Sequence, residues 1–237
     1  MEITPTATLA EIITAKPVLS RELDRIGLDY CCHGQRSLED ASRAAGLDPA
    51  TVVAELNAAG SDAEPAPDWA TFGPAELADH VECTHHAYLH AEMPRLEALA
   101  LKVRDVHGGR HPELAEVARV YLELKAELEP HLRTEEQVVF PAIRVLDGAA
   151  EADGPVPVLA QPISKLLSEH DRAGELLEDL RRLTGGYETP ADGCASYQAL
   201  YTGLAEMEAD THIHVHKENN ILFPAVLDLE ARQPTAS

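Results

Sequence analysis

The stretch HLRTE at positions 131–135 recurs as HVHKE at positions 214–218, and FPA follows each stretch at the same offset. One sequence element is therefore present twice in this chain. A helix turns about 100° per residue, so a histidine and a glutamate four positions apart lie on one face, about 40° from each other. Two such pairs, on two helices of one bundle, supply imidazoles for two metal ions and carboxylates that could bridge them.

The repeat extends upstream of both stretches. His86 lies 45 residues before His131, and His170 lies 44 residues before His214. We therefore predict two helical hairpins, each with one histidine on its first helix and a His–Glu pair on its second. Antiparallel helices that turn near Gly109 bring His86 and His131 to the same depth, so the six polar side chains should converge on one layer.

Composition limits the choice of partners. The chain has 237 residues and a formal charge of −22, with no basic cluster, which argues against nucleic acid and anionic membranes. Its first residues, MEITP, contain neither a basic nor an apolar targeting region, and no apolar run reaches membrane-spanning length. We therefore expect a cytoplasmic protein.

Helical patterns and turn signals predict an all-α chain in three parts. Residues 1–59 should form a small helical domain, 60–73 a linker stiffened by prolines, and 74–230 a four-helix bundle. The four long helical patterns of the bundle run roughly over 74–106, 112–147, 158–184 and 192–228.

Apolar residues recur at spacings of three and four in all four patterns, and the six polar residues share their inward face. In the second pattern this face continues, after the glutamate, through Val138 and Ala142. In the fourth pattern it continues through Ile221 and Ala225. A buried charge without a partner is expensive, so polar groups in these core positions need compensation, which bound metal provides.

Other polar residues of the bundle are expected outside the metal layer. Four histidines should lie at the surface or on a solvated outer face: His80, His85, His212 and His216. His90 shares a face with His86 and stays open as a spare ligand. His107 lies about 30 Å along the helix from His86 and is excluded unless the first helix breaks early, for which Pro94 offers a cause. Glu136 should point away from the layer, and Glu169 should lie at its rim.

The donor set restricts the metal. Four histidines and two glutamates are too rich in nitrogen for magnesium or calcium, and they contain no thiolate of the kind found in structural zinc sites. Non-haem iron fits best, while manganese and zinc stay open. The order of His before Glu differs from the Glu-x-x-His of ferritin-type bundles and indicates a hemerythrin-like bundle instead.

Three motifs carry a resemblance to a known family. LDYCCHG at 28–34, SEHDRAGELLE at 168–178 and ENNILFP at 218–224 resemble the iron-sulfur cluster repair family, also called repair of iron centers. The similarity covers nearly everything from Thr8 to Ala225. It implies a hemerythrin-like four-helix bundle preceded by a small helical N-terminal domain with paired cysteines.

The resemblance also implies a function. Members restore iron-sulfur clusters damaged by nitric oxide or peroxide, with a di-iron centre as the source of iron. For this chain it implies two non-haem iron ions, joined by an oxo or hydroxo bridge. Iron-sulfur proteins or a scaffold would receive the iron, and O2 or nitric oxide would be small ligands. The implied iron ligands are His86, His131, Glu135, His170, His214 and Glu218. A further family histidine matches His107.

Cys31 and Cys32 are neighbours, and a disulfide between neighbours is strained, so a structural cross-link is not expected. They could form a thiol transfer site that binds or passes on metal, or they could be one buried and one exposed thiol without a role. His33 follows them where some family members have glycine, and its part in iron binding stays open. Cys83 and Cys194 are predicted as small core residues.

Three functions compete at this stage. The first is cluster repair by iron donation, and the second is an O2- or nitric oxide-binding sensor. The third is an enzyme that reduces nitric oxide at two iron ions. The cysteine-containing domain favours repair, because an oxygen carrier has no evident need for it. Whether the protein is a catalyst stays open, as does its oligomeric state.

Overall fold

A computed structural model describes residues 2–60, 68–151 and 158–232. Within these ranges the secondary structure is helical, apart from one β-bridge between Thr8 and Ser37. No helix of the described residues is both long and apolar enough to cross a membrane. The N-terminal part contains a 3-10 turn at Pro17–Leu19 and four short helices: α1 (Leu9–Ala15), α2 (Ser20–Ile26), α3 (Leu38–Ala44) and α4 (Pro49–Ala59).

The rest of the chain forms four long helical rods. Its helices are α5 (Pro74–Val81), α6 (Ala87–His107), α7 (Glu113–Thr134), α8 (Phe140–Leu146), α9 (Ala160–Leu183), α10 (Ala195–Lys217) and α11 (Phe223–Arg232). Three π turns join α5 to α6, α7 to α8 and α10 to α11: Glu82–His86, Glu135–Val139 and Glu218–Leu222. The rods follow the four helical patterns predicted from the sequence, and the all-α prediction is confirmed.

Local sequence signals explain where the N-terminal helices begin. The Thr8 side chain accepts a hydrogen bond from the amide of Glu11, whose carboxylate accepts one from the amide of Thr8, which is a complete capping box. Ser37 caps α3 and Asp48 caps α4 in the simpler way, each accepting from an amide three residues later.

The rods pack in a ring in which α6 contacts α7, α7 contacts α9, α9 contacts α10 and α10 contacts α6. Two apolar clusters fill the interior. One lies among α6, α7, α9 and α10, and the other lies among α5, α8, α11 and the start of α9. The predicted metal-binding side chains lie between the two clusters, so apolar packing on both sides holds the polar layer in place.

Two of the three π turns have a cause in the repeated FPA motif. The amide of Phe140 donates to the carbonyl of Glu135, and that of Phe223 donates to the carbonyl of Glu218, five residues back in each case. Pro141 comes next in the first rod; its ring lacks an N–H and would clash with the carbonyl four residues earlier in a regular α-helix. A turn widened by one residue relieves that clash.

Each widened turn moves the inward face by one residue, which corrects the sequence prediction. Val138 is 46% exposed, whereas Val139 is fully buried. In the fourth rod Ile221 is only partly buried and Ala225 is exposed; the residues that enter the core are instead Leu222 and Val226. The prediction assumed an unbroken helix of 3.6 residues per turn, and this assumption fails after each glutamate.

The N-terminal domain packs against the outer face of α10. Val215 belongs to the core of that domain, Asp24 accepts a hydrogen bond from His212 at 2.8 Å, and Thr14 is hydrogen-bonded to His216 at 3.1 Å. The prediction that His212 and His216 are solvated is therefore wrong. Helix geometry placed them correctly on the outer face, but that face is covered by the N-terminal helices, and His216 is fully buried.

Part of the predicted linker at 60–73 lies outside the described residues, and so does part of the loop at 148–157. The described end of the linker forms a 3-10 turn at Trp69–Thr71 in which Trp69 is buried. This turn therefore packs against the bundle, where Trp69 joins the apolar cluster around α5.

Cys194 and Cys83 are both exposed, so the prediction that they belong to the core is wrong. Cys194 is the N-cap of α10, and its Sγ lies 3.2 Å from Nε2 of the buried His107. The amide of Tyr197 and, next, the imidazole of His107 lower the pKa of Cys194 to about 7. The thiol is thus set apart from an ordinary exposed cysteine by its position at a helix N-terminus beside an imidazole.

The register shift predicts unequal effects on the free energy of unfolding for substitutions of two adjacent valines. Val139→Ala should lower the free energy of unfolding by about 2 kcal/mol, because it removes two buried carbon groups worth about 0.8 kcal/mol each and leaves a small cavity. Val138→Ala should change it by less than about 0.5 kcal/mol because this side chain is largely exposed. Chemical denaturation at matched metal content measures both. A larger loss for Val138→Ala would mean that the π turn is absent.

The position of Cys194 predicts how its reactivity depends on pH. Because the thiolate is the nucleophile, the rate of alkylation at Cys194 should rise with pH around a midpoint of about 7. His107→Ala should move this midpoint upward, since it removes one of the groups that stabilise the thiolate. Mass spectrometry of iodoacetamide-treated protein follows the site, with free glutathione as the reference thiol. Equal midpoints for Cys194 and glutathione would contradict the assignment.

Candidate metal centre

The six residues predicted as ligands come together in one layer. Their ligand atoms fall into two groups, each with all atoms within 4.8 Å of one another. The first group is His86, Glu135, His214 and Glu218, and the second is His131, Glu135, His170 and Glu218. Both glutamates thus belong to both groups, which is the arrangement that two bridging carboxylates require. All six side chains are buried.

The histidines face each other in pairs. Nε2 of His86 lies 3.2 Å from Nε2 of His214, and Nε2 of His170 lies 3.0 Å from Nε2 of His131. These separations match those of adjacent donors that each lie about 2.1 Å from one metal ion. The carboxylate oxygens of Glu135 and Glu218 lie 3.1–3.4 Å from these nitrogens.

Partners on the other ring nitrogen determine the tautomers. Nδ1 of His86 lies 3.1 Å from Glu136, and Nδ1 of His131 lies 3.0 Å from Glu169. An ionised carboxylate only accepts hydrogen bonds, so Nδ1 carries the proton in both rings. In a neutral ring Nε2 then presents its lone pair to the centre of the bundle, as a metal ligand must.

This arrangement is unfavourable without a cation. Two lone pairs that face each other at about 3 Å repel unless a proton or a metal ion lies between them. Although burial opposes protonation, the charge of Glu135 raises the pKa of His131 to about 10, so in the absence of metal this ring takes up a proton. The donor set therefore fits a metal ion better than it fits a network of neutral side chains.

The carboxylates point to the same conclusion. Glu135 is fully buried, and neither of its oxygens accepts a well-directed hydrogen bond from the described residues. Burial and the charge of Glu218 oppose ionisation of Glu135, but His131 and His86 lower its pKa. Burial also opposes ionisation of Glu218, whose pKa His214 and His170 lower well below the usual value. Buried ionised oxygens beside imidazole nitrogens fit non-haem iron.

Each π turn places a ligand. Glu135 and Glu218 are the first residues of their turns, and His86 is the last residue of its turn. His170 lies within the regular helix α9. π turns inside α-helices occur frequently at functional sites, because the wider turn redirects side chains. The FPA motif after each glutamate is the sequence feature that these two turns share, whereas Pro94 and Pro130 lie inside the regular helices α6 and α7.

Of the residues that neighbour the two groups, Glu136 differs from its prediction and Glu169 agrees with it. Glu136 does not point away, because its Oε1 contacts Nδ1 of His86 and Nε2 of His90, the latter at 2.7 Å. The side chain of His90 is 52% exposed and lies outside both groups. His107 also lies outside them. Glu169 is at the rim, where its hydrogen bond with His131 lowers the pKa of Glu169 to about 2.

His85 is buried, so the prediction that it lies at the surface is wrong. Its ring stacks on that of His214, with centroids 5.3 Å apart. Nδ1 of His85 lies 2.8 Å from Asp210, and Nε2 lies 2.7 Å from Nζ of Lys217. The prediction failed because π turns shift side-chain directions around His86. Burial lowers the pKa of Lys217 to about 8, and its ammonium also lies 4.2 Å from the centre of the Trp69 ring.

The paired cysteines lie in a loop between α2 and α3. Both thiols are free; Cys31 is buried and Cys32 is half-buried, with their Sγ atoms 3.7 Å apart. Asp29 accepts from the thiol of Cys31 at 3.2 Å and is also 2.5 Å from Nδ1 of the exposed His33. The hydrogen bond with Cys32, together with burial, raises the pKa of Cys31 well above its usual value.

A cavity of about 520 Å³ opens beside this loop, between the N-terminal domain and α9 and α10. Both cysteines and His33 line it. Six carboxylate residues also contribute: Asp24, Asp29, Asp171, Glu175, Glu178 and Glu208. Cations would therefore concentrate in this cavity, next to two thiols.

Comparison with known families agrees with this architecture. Residues 77–226 match the hemerythrin HHE cation binding domain. Residues 5–60 match a domain of unknown function, DUF542. The first match covers more than half of the chain and contains all six residues of the buried layer. The second contains the paired cysteines.

Individual relatives match both parts at once. The iron-sulfur cluster repair protein YtfE of Enterobacter sp. (strain 638) is 35% identical over 92% of this chain and 96% of its own length. A probable iron-sulfur cluster repair protein of Haemophilus influenzae is 35% identical over 93% of this chain and 96% of that protein. ScdA of Staphylococcus haemolyticus, also an iron-sulfur cluster repair protein, is 29% identical over 93% and 98%. The chain therefore belongs to the iron-sulfur cluster repair family, with a hemerythrin HHE domain behind a short N-terminal DUF542 domain.

Proposed function

We propose that the protein repairs damaged iron-sulfur clusters by giving up iron from a di-iron centre. The observation that carries the proposal is the buried layer in which two ligand groups share Glu135 and Glu218. Relatives that align with nearly the whole chain carry the name of iron-sulfur cluster repair proteins. Their length and the match of both domains support the transfer of that function to this chain.

In this proposal each iron ion has its own pair of imidazoles. His86 and His214 would hold one ion, His131 and His170 would hold the other, and Glu135 and Glu218 would be shared between them. An oxo or hydroxo bridge would complete the centre. The iron is the cargo of the protein, and when bound it has coordination positions that exogenous ligands can occupy.

Residues beside the ligands affect how tightly the protein binds iron. Glu136 and Glu169 fix the orientation of their histidines and make the rings stronger donors. Nδ1 of His214 lacks such a partner among the described residues.

The cysteine loop provides a route for the released iron. We infer that Cys31 and Cys32, with Asp29, form a thiol transfer site that receives iron at the acidic cavity. Ligand atoms of these three residues lie within 4.8 Å of one another. The high pKa of Cys31 means that it is protonated at neutral pH, so metal binding there must displace a proton. Clusters damaged by nitric oxide or peroxide are the proposed recipients.

The family comparison does not support the alternative of a gas sensor or nitric oxide reductase, because the matching relatives are named for cluster repair. The N-terminal domain also accounts for about a quarter of the chain and is joined to the bundle through direct hydrogen bonds. A protein that only binds a gas has no evident use for thiols held in that position.

Removal of one bridging carboxylate tests the centre. Glu135→Ala should lose most of its iron, because both ions lose a shared ligand, while the apolar clusters on either side preserve helicity. Metal analysis and a Mössbauer spectrum of protein prepared without oxygen should give about two coupled iron ions for the unaltered chain. Glu206→Ala, an exposed site on α10, is the matched control and should retain iron. Full iron content in Glu135→Ala would exclude the proposed ligand set.

The transfer role of the thiols is tested by substitution of both cysteines. Cys31→Ser with Cys32→Ser should retain iron in the bundle but slow the recovery of activity of a damaged aconitase. Cys194→Ser is the control, since Cys194 lies about 30 Å along α10 from His214 at about 1.5 Å per residue. Unchanged recovery in the double variant would remove the thiols from the mechanism. Loss of bundle iron in that variant would instead assign them a role in holding the centre.

A further inference from the structure

One side chain connects the buried metal layer to the cysteine loop. Oδ1 of Asn219 lies 2.7 Å from Nδ1 of His170, and Nδ2 of the same amide donates to the backbone carbonyl of Cys31 at 3.2 Å. Asn219 follows Glu218 directly and lies in the π turn Glu218–Leu222. Its amide therefore touches a residue of the layer on one side and the N-terminal domain on the other.

The hydrogen-bond chemistry allows only one orientation of this amide. A carbonyl oxygen can only accept, so the nitrogen of Asn219 must face Cys31 and its oxygen must face His170. Nδ1 of His170 is then the donor, and Nε2 presents its lone pair to the layer. Contact with the loop thus fixes the tautomer and orientation of this imidazole through Asn219.

The other histidines of the layer lack such a connection among the described residues. His86 and His131 are held by Glu136 and Glu169, which belong to the bundle itself. Nδ1 of His214 has no hydrogen-bond partner within the part of the chain that the structure describes. His170 alone among the four is oriented by a side chain that is also bonded to the N-terminal domain.

Asn220 holds the same loop without touching the layer. Its Nδ2 donates to the carbonyl of Cys31 at 3.0 Å, and its Oδ1 accepts from Gln35 at 3.1 Å. Gly34 approaches this side chain so closely that an added Cβ would lie 2.7 Å from Oδ1. The loop therefore has a second attachment, and loss of Asn219 alone does not detach it.

We propose that Asn219 is a positioning residue that couples docking of the Cys31–Cys32 loop to retention of iron at the His131–His170 side of the centre. The inference rests on the proposed function. With the loop docked, the amide is held at both ends and His170 is fixed. When the loop moves away, the amide is free to turn, His170 loses its orienting acceptor, and iron on that side dissociates faster. Iron would then leave when the thiols have moved to receive it.

Coupling of this kind is reciprocal. If docking of the loop strengthens iron binding, iron binding must strengthen docking by the same factor. Iron-loaded protein should therefore show slower hydrogen exchange over residues 28–34 than iron-free protein. This readout does not depend on repair activity.

The test compares four iron-loaded, full-length proteins: the unaltered chain, Asn219→Ala, Asn219→Asp and Glu169→Gln. Two quantities are measured, the rate of iron transfer to a ferrous chelator and the effect of iron on hydrogen exchange of residues 28–34. Asn219→Ala should release iron about tenfold faster, as expected when the partner of a metal-binding histidine is removed. It should also abolish the effect of iron on exchange in the loop.

The other two variants separate the two contacts. Asn219→Asp keeps an acceptor for His170 but loses the donor to Cys31, so its iron release should stay closer to that of the unaltered chain while the effect of iron on the loop disappears. Glu169→Gln weakens the corresponding contact on His131 and should speed release, but the effect of iron on the loop should persist. In this pattern Asn219→Asp changes the response of the loop and Glu169→Gln changes the rate of iron release. A merely structural role of Asn219 would not separate the two quantities in this way.

Two results would overturn the coupling. One is an unaltered chain in which iron leaves hydrogen exchange of the loop unchanged; the other is an Asn219→Ala protein that retains the effect. If the unaltered chain holds iron and delivers it while Asn219→Ala behaves identically, only this inference fails. If the unaltered chain binds no iron, the proposed function fails first.

Discussion

Two ionised carboxylates at the centre of an apolar bundle are the constraint on which the rest of the structure depends. Glu135 and Glu218 are fully buried, and burial by itself opposes their charge. Four imidazoles converge on them, yet these imidazoles face one another with lone pairs that repel. Each group is thus tolerated only because of the others, and a pair of cations satisfies all of them together.

Different parts of the chain supply the residues that surround this centre. The apolar clusters on either side come from the bundle and the end of the linker, and the carboxylates that orient two of the histidines come from the bundle. The third orienting contact reaches the N-terminal domain through Asn219. The two domains therefore meet next to the buried layer of histidines and glutamates. The docked loop places two thiols beside an acidic cavity.

Much of the fold and of the buried layer was predictable from the sequence, because the sequence patterns that specify them are local and repeated. The spacing of His and Glu and the inward apolar pattern were enough to predict four rods and the convergence of six side chains. What depends on tertiary contact was not predictable: His216 has the periodicity of an exposed residue, but another domain covers it. Val138 and His85 were misplaced for a different reason, since a single widened turn changes the direction of every side chain around it.

The widened turns also limit how this centre could be grafted onto another protein. Straight, ideal helices that carried the six side chains would keep the His–Glu spacing. They would lack the extra residue that the π turn inserts after each glutamate. Every core position downstream would then rotate by about 100°, and apolar residues would turn toward water. The proline that follows each Phe therefore belongs to the segment that would have to be transferred together with the His–Glu pair.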